Sequence, residues 1–95
     1  MTGKQRAKLR KMANTIPALY QMGKDGMTEN MVRQFEDALE AKELIKVHVL
    51  DSALLDTREA AEMAAKASGA ETIQIIGNKF VLYKPSKENP RITFD

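Results

Sequence analysis

The fold of this chain is decided by residues 23–49, which read GKDGMTENMVRQFEDALEAKELIKVHV. Two glycines, Gly23 and Gly26, bound a short turn that leads to Thr28, whose hydroxyl can cap the free amides of a helix start. Beyond Thr28 an apolar stripe recurs at helical spacing, and over 44–50 apolar and polar residues alternate. The stretch therefore predicts a turn, an amphipathic helix and a half-buried strand in succession.

The segments on either side extend this pattern to a complete α/β order. A helix that ends before Pro17 and a short strand precede the stretch. A helix closed by Gly69 and a hairpin with its turn at Gly77 follow it. The order α-β-α-β-α-β-β predicts a two-layer α/β fold with a mixed four-stranded sheet, in which the first three strands pair in parallel and the hairpin adds an antiparallel pair. The predicted helices and strands outside the stretch span 4–15, 18–22, 57–67, 72–76 and 80–84.

Length and composition limit what the chain can be. Its 95 residues are enough for one domain, which we expect to span residues 1–86. Residues 87–95 are predicted to form a C-terminal tail that is either disordered or docked. The chain has no cysteine, which excludes disulfides, thiolate metal sites and a cysteine nucleophile. Because it shows no apolar run of membrane-spanning length and no secretory signal, we expect a cytoplasmic protein without membrane contact.

Charge is distributed unevenly along the chain. Residues 1–24 carry six of the 15 Lys and Arg residues and no acid, whereas the rest of the chain carries nine against 13 Asp and Glu. An electropositive end on an otherwise mildly acidic molecule is typical of a protein with a polyanionic partner. A solvated N-terminal helix without a partner has the same pattern, so charge alone leaves both interpretations open.

The residues do not form a recognisable catalytic centre. His48 lies on the polar face of its predicted strand, without a serine or carboxylate placed to complete a triad. The turn at 23–26 lacks the Gly-Lys-Ser/Thr ending of a P-loop. We therefore expect no enzyme activity, no cofactor and no metal. The acids of the second helix are interpreted as a solvated face, without the pairing of a glycosidase or a metal site: Glu36, Asp37, Glu40 and Glu43.

Binding of a nucleic-acid backbone fits the residues better. A basic helix, a strand, a glycine turn with a lysine and a helix N-terminus together make a positive ridge that suits phosphates more than bases. Turns of the G-x-x-G form clamp single strands in KH domains. Tyr20 and Tyr83 either stack a base or are partly buried with their hydroxyls at the surface. The candidate RNA-binding residues are Lys4, Lys8, Arg10, Lys11, Gly23, Lys24, Asp25, Gly26 and Thr28.

Residues 23–49 closely resemble the CRM domain (chloroplast RNA splicing and ribosome maturation) in its small bacterial stand-alone form, the YhbY-like type. The basic opening at 8–10 (KLR), the segment at 73–77 (IQIIG) and the Leu-Tyr pair at 82–83 also match, so the likeness covers residues 2–86. The resemblance implies the fold order given above, similar to the C-terminal domain of bacterial translation initiation factor three. It also implies RNA binding, with ribosomal RNA or precursors of the large ribosomal subunit as partner.

The resemblance places the family's loop on residues 23–26 and its basic first helix on residues 4–11. Two positions depart from the commonest form of the family. Asp25 puts an acid inside the loop, which leaves the role of this residue open. Lys84 stands where arginine often follows the Leu-Tyr pair, which keeps the charge but loses the planar fork of arginine.

Two other functions stay open at this point. A protein-interaction module would reach ribosomal particles through the acidic face of the second helix, without direct RNA contact. A small phosphate-containing molecule would bind at the glycine loop if a concave apolar pocket lay beside it.

Overall fold

The computed structural model describes residues 1–94, and Asp95, the last residue of the predicted tail, lies outside the described residues. Within residues 1–94 no helix has both the length and the apolar character that a membrane crossing requires. The predicted order of helices and strands is confirmed. The elements are α1 (Gly3–Ala13), β1 (Tyr20–Met22), α2 (Glu29–Lys42), β2 (Leu44–Val49), a 3-10 turn (Asp51–Ala53), α3 (Thr57–Ser68), β3 (Glu71–Ile76) and β4 (Lys79–Tyr83).

Side-chain caps explain where the helices begin. Thr28 caps α2 as predicted, because its hydroxyl accepts a hydrogen bond from the Met31 amide at 3.2 Å. At α1 the cap is Thr2, which forms a reciprocal capping box with Gln5 and so starts the helix one residue earlier than expected. The same helix ends at Ala13, two residues before the predicted end.

The strand order is β1-β2-β4-β3, so the predicted parallel pairing of the first three strands is wrong for one pair. β1 and β2 pair in parallel, but β4 lies between β2 and β3 and pairs with both in antiparallel fashion. The apolar composition of β4 accounts for its central place, since Phe80, Val81, Leu82 and Tyr83 are all buried. A strand that is apolar on both faces is stable only where both faces are covered. β3 is more exposed and lies at the edge.

Helices cover both faces of the sheet, so the arrangement differs from the predicted two layers. α2 and α3 pack on one face, where Phe35 and Phe80 are fully buried in the larger apolar cluster. α1 packs on the other face, where Leu9 and Ala13 meet a smaller cluster that includes Leu44, Ile73, Val81 and Tyr83. The third layer forms because β4 carries apolar residues on both faces of the sheet. Phe80 and Leu82 belong to the larger cluster, and Val81 and Tyr83 belong to the smaller one.

The C-terminal tail docks on the domain. Glu43, expected on a solvated helix face, is instead fully buried at the left-handed C-cap of α2 (φ 67°). Its carboxylate accepts hydrogen bonds from the amides of Ser86 at 2.8 Å, Arg91 at 2.5 Å and Ile92 at 2.8 Å. We call residues 86–92 together with Glu40 and Glu43 the tail clamp. The clamp holds one end of the chain on the face that α1 covers, where Ile92 packs against the smaller cluster.

Glu40 completes the tail clamp. Its carboxylate accepts hydrogen bonds from the Ser86 hydroxyl and, at 3.0 Å, from the Lys87 amide. The amide of Lys87, the Ser86 hydroxyl and the Glu88 amide together outweigh desolvation and lower the pKa of Glu40. This carboxylate is therefore not simply part of a solvated face, as the sequence suggested.

Candidate nucleic-acid interface

The glycine loop is a tight turn between β1 and α2. The Gly26 amide donates to the Gly23 carbonyl at 3.0 Å, which places Lys24 and Asp25 at the exposed corners of the turn. Gly26 adopts a left-handed conformation (φ 63°) that L side chains rarely take. Gly23 does not, and a Cβ added there would meet Ser52 Oγ at 3.6 Å, an ordinary contact. The turn therefore requires glycine at position 26 more strictly than at position 23.

The loop lies at the sheet edge where the parallel strands β1 and β2 end. The Leu50 amide donates to the Met22 carbonyl at 2.9 Å, which joins the two strand ends beside the turn. Ligands of α/β sheets commonly bind at the carboxyl ends of the strands. α2 begins at the same edge, and Thr28 occupies the amides of Met31 and Val32. The amides of Glu29 and Asn30 stay available to an anion at this helix start.

The basic residues of α1 fall into two groups. Lys4, Arg10 and Lys11 are exposed at the surface. Lys8 is exposed too, but its ammonium donates to the Thr93 carbonyl and lies 5.7 Å from the centre of the Phe94 ring. The tail therefore already binds one of the four basic side chains of this helix that are predicted to contact RNA.

Arg6 is a basic residue with a structural role. Its guanidinium donates to the Thr72 carbonyl at 2.8 Å and lies 3.5 Å from the Glu71 carboxylate. These contacts fasten α1 to the edge strand β3. Arg6 is not among the candidate RNA-binding residues.

The basic helix and the glycine loop lie at opposite ends of β2. Leu9 and Ala13 of α1 share a cluster with Leu44, the first residue of β2, whereas the loop contacts Leu50, just past its last residue. Six residues of strand separate the two points, or about 20 Å at ~3.3 Å per residue. The structure therefore brings residues 23–28 together but does not join them to α1 in one patch. A ligand that touches both must be an extended chain.

The two tyrosines are packing residues. Tyr20 meets Phe35 edge to face, with ring centres 5.9 Å apart, and receives a 3.3 Å hydrogen bond from Lys42 on its hydroxyl. Tyr83 is buried against Phe94, and this burial, with the charge of Glu43, raises its pKa. Tyr20 is partly buried, in agreement with the second of the two interpretations, whereas Tyr83 is more deeply buried than that interpretation predicts.

The structure also reveals a row of side chains that the sequence did not single out. α1 covers the beginning of β2 and the end of β4, and it leaves the half of that face next to the glycine loop uncovered. We call this area the open half of the sheet. The alternation of Lys46 and His48 with apolar residues indicated a polar face, but the neighbours on other strands follow only from the observed pairing. One residue from each strand lies there in register: Gln21, His48, Lys79 and Ile76.

Within residues 1–94 no group of three or more His, Asp or Glu residues is arranged to hold a metal ion. His48 is half-buried and pairs with Asn78 rather than with a carboxylate or a hydroxyl nucleophile.

Comparison with known proteins relates this geometry to a family. The model of the CRS1/YhbY (CRM) domain matches residues 1–84. The chain is 47% identical over 92 residues to the "Probable RNA-binding protein YqeI" of Bacillus subtilis, and the match covers 97% of this chain and 96% of that one. It is 34% identical to an "RNA-binding protein" of Haemophilus influenzae, with 93% and 89% of the two chains covered.

A solved structure gives the same result for the fold. The solution structure of SAV1595 from Staphylococcus aureus, for which RNA binding has been suggested, superposes with a TM-score of 0.77. The two chains are 42% identical, and the match covers 100% of this chain and 99% of that one. The fold described above is therefore the fold of a close relative.

Proposed function

The chain belongs to the CRS1/YhbY (CRM) domain family, and on that premise we propose that it binds RNA and acts in assembly or maturation of the large ribosomal subunit. The family is not one of enzymes, so binding is the whole of the proposed activity. The observation that carries the proposal is the exposed Lys24 on a glycine turn beside the free amides of α2. Relatives named as RNA-binding proteins support the class of ligand.

Phosphate contacts explain how this site would hold RNA. A phosphodiester at the turn would meet the ammonium of Lys24 and the amides of Glu29 and Asn30 at the positive end of the α2 dipole. The exposed cations Lys4, Arg10 and Lys11 would contact the same strand further along. Backbone contacts of this kind position an RNA and add affinity without reading its sequence.

Charge reversal at the loop tests the proposal. We expect Lys24→Glu to weaken binding to single-stranded RNA about tenfold or more and to reduce the slope of log K against log salt by about 0.7 to 1. Lys66→Glu is the matched control, because Lys66 is exposed near the end of α3 and its reversal changes the net charge equally. Fluorescence anisotropy at several salt concentrations gives both quantities, and thermal unfolding checks that each variant is folded. Equal affinities of the two variants would remove the loop from the site.

Lys8 gives a second comparison within the same experiment. Since the tail already engages its ammonium, we expect Lys8→Glu to weaken RNA binding less than Lys24→Glu. The ribosomal target needs a separate measurement, crosslinking in cells followed by sequencing of the bound RNA. We expect precursor large-subunit RNA to dominate the reads. A population without ribosomal RNA would contradict the target while leaving RNA binding intact.

The structure leaves fewer acids of α2 available for the alternative function, interaction with a protein partner. The interacting surface would consist of Glu36, Asp37 and Glu40. Glu40 already accepts hydrogen bonds from the tail, which leaves Glu36 and Asp37 exposed on α2. We keep this function as an outcome of the experiment: association with ribosomal particles that survives Lys24→Glu and fails after Glu36→Lys would favour it.

A further inference from the structure

The open half of the sheet is the part of the molecule that lies between the two predicted contact regions. Gln21 is paired with His48, His48 with Lys79, and Lys79 with Ile76, so the four side chains form one row across the sheet. At ~4.8 Å between neighbouring strands the row is about 14 Å long. Gln21 and Lys79 are exposed, Ile76 is 50% exposed, and His48 is half-buried. The row is therefore a flat, accessible surface that starts two residues before Gly23.

His48 is held in one orientation at the middle of the row. The Asn78 side-chain amide and His48 Nε2 are hydrogen-bonded at 2.9 Å, and the Asn78 backbone carbonyl accepts from the Val49 amide at 2.7 Å, which fixes Asn78 in turn. The sheet thus presents an imidazole ring in a fixed orientation beside an exposed lysine.

The charges of the open half suit an anion. Lys79 lies next to His48 on the neighbouring strand, and Lys46 lies two residues before His48 on the same face. Lys24 follows Gln21 by three residues and is exposed at the corner of the glycine turn. None of the residues of the row is acidic, in contrast to the loop itself, which carries Asp25.

We propose that the open half of the sheet is a nucleotide subsite, in which single-stranded RNA held at the glycine loop crosses the sheet with one base stacked on His48 and a phosphate paired with Lys79. The inference rests on the proposed function and extends it from phosphates at the loop to a base on the sheet. Imidazole rings are among the side chains that stack unpaired bases. A duplex hides the faces of its bases, so a flat ring with a neighbouring cation fits a single strand.

The position of the subsite supports the same path. Leu44, which α1 covers, and Leu50, beside the loop, lie about 20 Å apart along β2, so the open half of the sheet lies on the direct path between α1 and the loop. Lys46 and His48 are the residues of β2 that point to that face. The subsite therefore fills the gap between the two sets of predicted cations.

Binding of single-stranded oligonucleotides of about 4, 8 and 12 residues to five variants, the Lys24→Glu variant of the proposed function among them, tests the inference. We expect His48→Ala to weaken binding of the longer oligonucleotides about 5- to 100-fold, since one stacked base is lost. Lys79→Glu should weaken them about tenfold, and the control Lys66→Glu should have a much smaller effect. His48→Phe keeps a ring for stacking and should restore binding to within about threefold of the original protein. Thermal unfolding shows that each variant is folded.

The outcomes separate this inference from the proposed function. If Lys24→Glu weakens binding while His48→Ala and Lys79→Glu match Lys66→Glu at every length, the subsite is refuted and the loop stands. If His48→Phe is as weak as His48→Ala, stacking is refuted. If the unmodified protein binds none of the oligonucleotides, the proposed function itself fails.

Discussion

The two ends of β2 carry lysines of the same kind in different surroundings. At the beginning of the strand, α1 and the tail clamp cover the sheet, and Lys8 is engaged by Thr93 and Phe94. At its end, the glycine loop and the open half of the sheet leave Lys24 and Lys79 exposed and without an ion pair. A count of charges treats these lysines alike, but Lys8 has a partner within the described chain, whereas Lys24 and Lys79 have none. Under the proposed function, Lys24 and Lys79 are therefore the lysines at which bound RNA would gain the most.

At the covered end of β2, the buried carboxylate of Glu43 holds the tail on the domain. Its replacement should have the largest effect on stability. In Glu43→Gln the amide nitrogen that replaces one oxygen would face a backbone N–H donor, which leaves that donor without an acceptor. The expected cost is about 3 kcal/mol of unfolding free energy. Chemical denaturation measures it, and faster exchange of the Arg91 and Ile92 amides would show release of the tail. Glu36→Gln, an exposed change on the same helix, should stay within about 0.5 kcal/mol.

The clamp also predicts how stability depends on pH. Burial raises the pKa of Glu43, but the amides of Ser86, Arg91 and Ile92 lower it more, so its pKa is below the ordinary 4.5 in the folded protein. A carboxyl with a lowered folded pKa contributes stability above its unfolded pKa and loses it as the pH falls through the folded value. Stability should therefore fall below about pH 4.5. A Glu43→Gln variant with an unchanged decline in this range would contradict the role of Glu43.

The two glycines of the loop are expected to differ in how much stability is lost when each is replaced by alanine. Gly26→Ala should cost about 1 kcal/mol, because position 26 has a left-handed backbone. Gly23→Ala should be close to neutral, because its added Cβ meets Ser52 and Leu50 at ordinary distances. Thermal unfolding of the two variants measures the difference. Equal losses would show that the two glycines are required for the same reason.

Substitution of Asp25 should give the smallest of these effects, and it should strengthen RNA binding instead of weakening it. Its carboxylate is exposed at the corner of the turn beside Lys24 and repels a phosphate there. We expect Asp25→Asn to strengthen RNA binding about two- to fivefold at low salt, with the gain disappearing as salt screens the charge. Weaker binding by this variant would mean that Asp25 contacts the RNA as an acceptor.

Local patterns in the sequence predicted the elements but not their arrangement. Thr28, Gly69 and the alternation over 44–50 act within a few residues, so their consequences were visible along the chain. The insertion of β4 between β2 and β3 depends on a pairing of distant residues, such as Leu44 with Tyr83. The burial of Glu43 depends on amides 43 to 49 residues further on. Both follow from long-range contacts, which periodicity does not reveal.

The same limit applies to the candidate site. The glycine loop was found because its residues are consecutive. The separation of the loop from α1 and the row that contains Gln21, His48 and Lys79 required the register of the sheet. Lys8 is engaged because the docked tail brings the Thr93 carbonyl to its ammonium, a contact between residues that are 85 positions apart.

The most direct test of the account is a titration of isotopically labelled protein with single-stranded RNA, followed by NMR of the backbone amides. We predict the largest chemical-shift changes at residues 21–26 and at His48 and Lys79. The amides of Ser86, Arg91 and Ile92, which donate to the Glu43 carboxylate, should keep their chemical shifts. Shifts concentrated in the tail clamp or on the acidic face of α2, with the glycine loop unaffected, would contradict it.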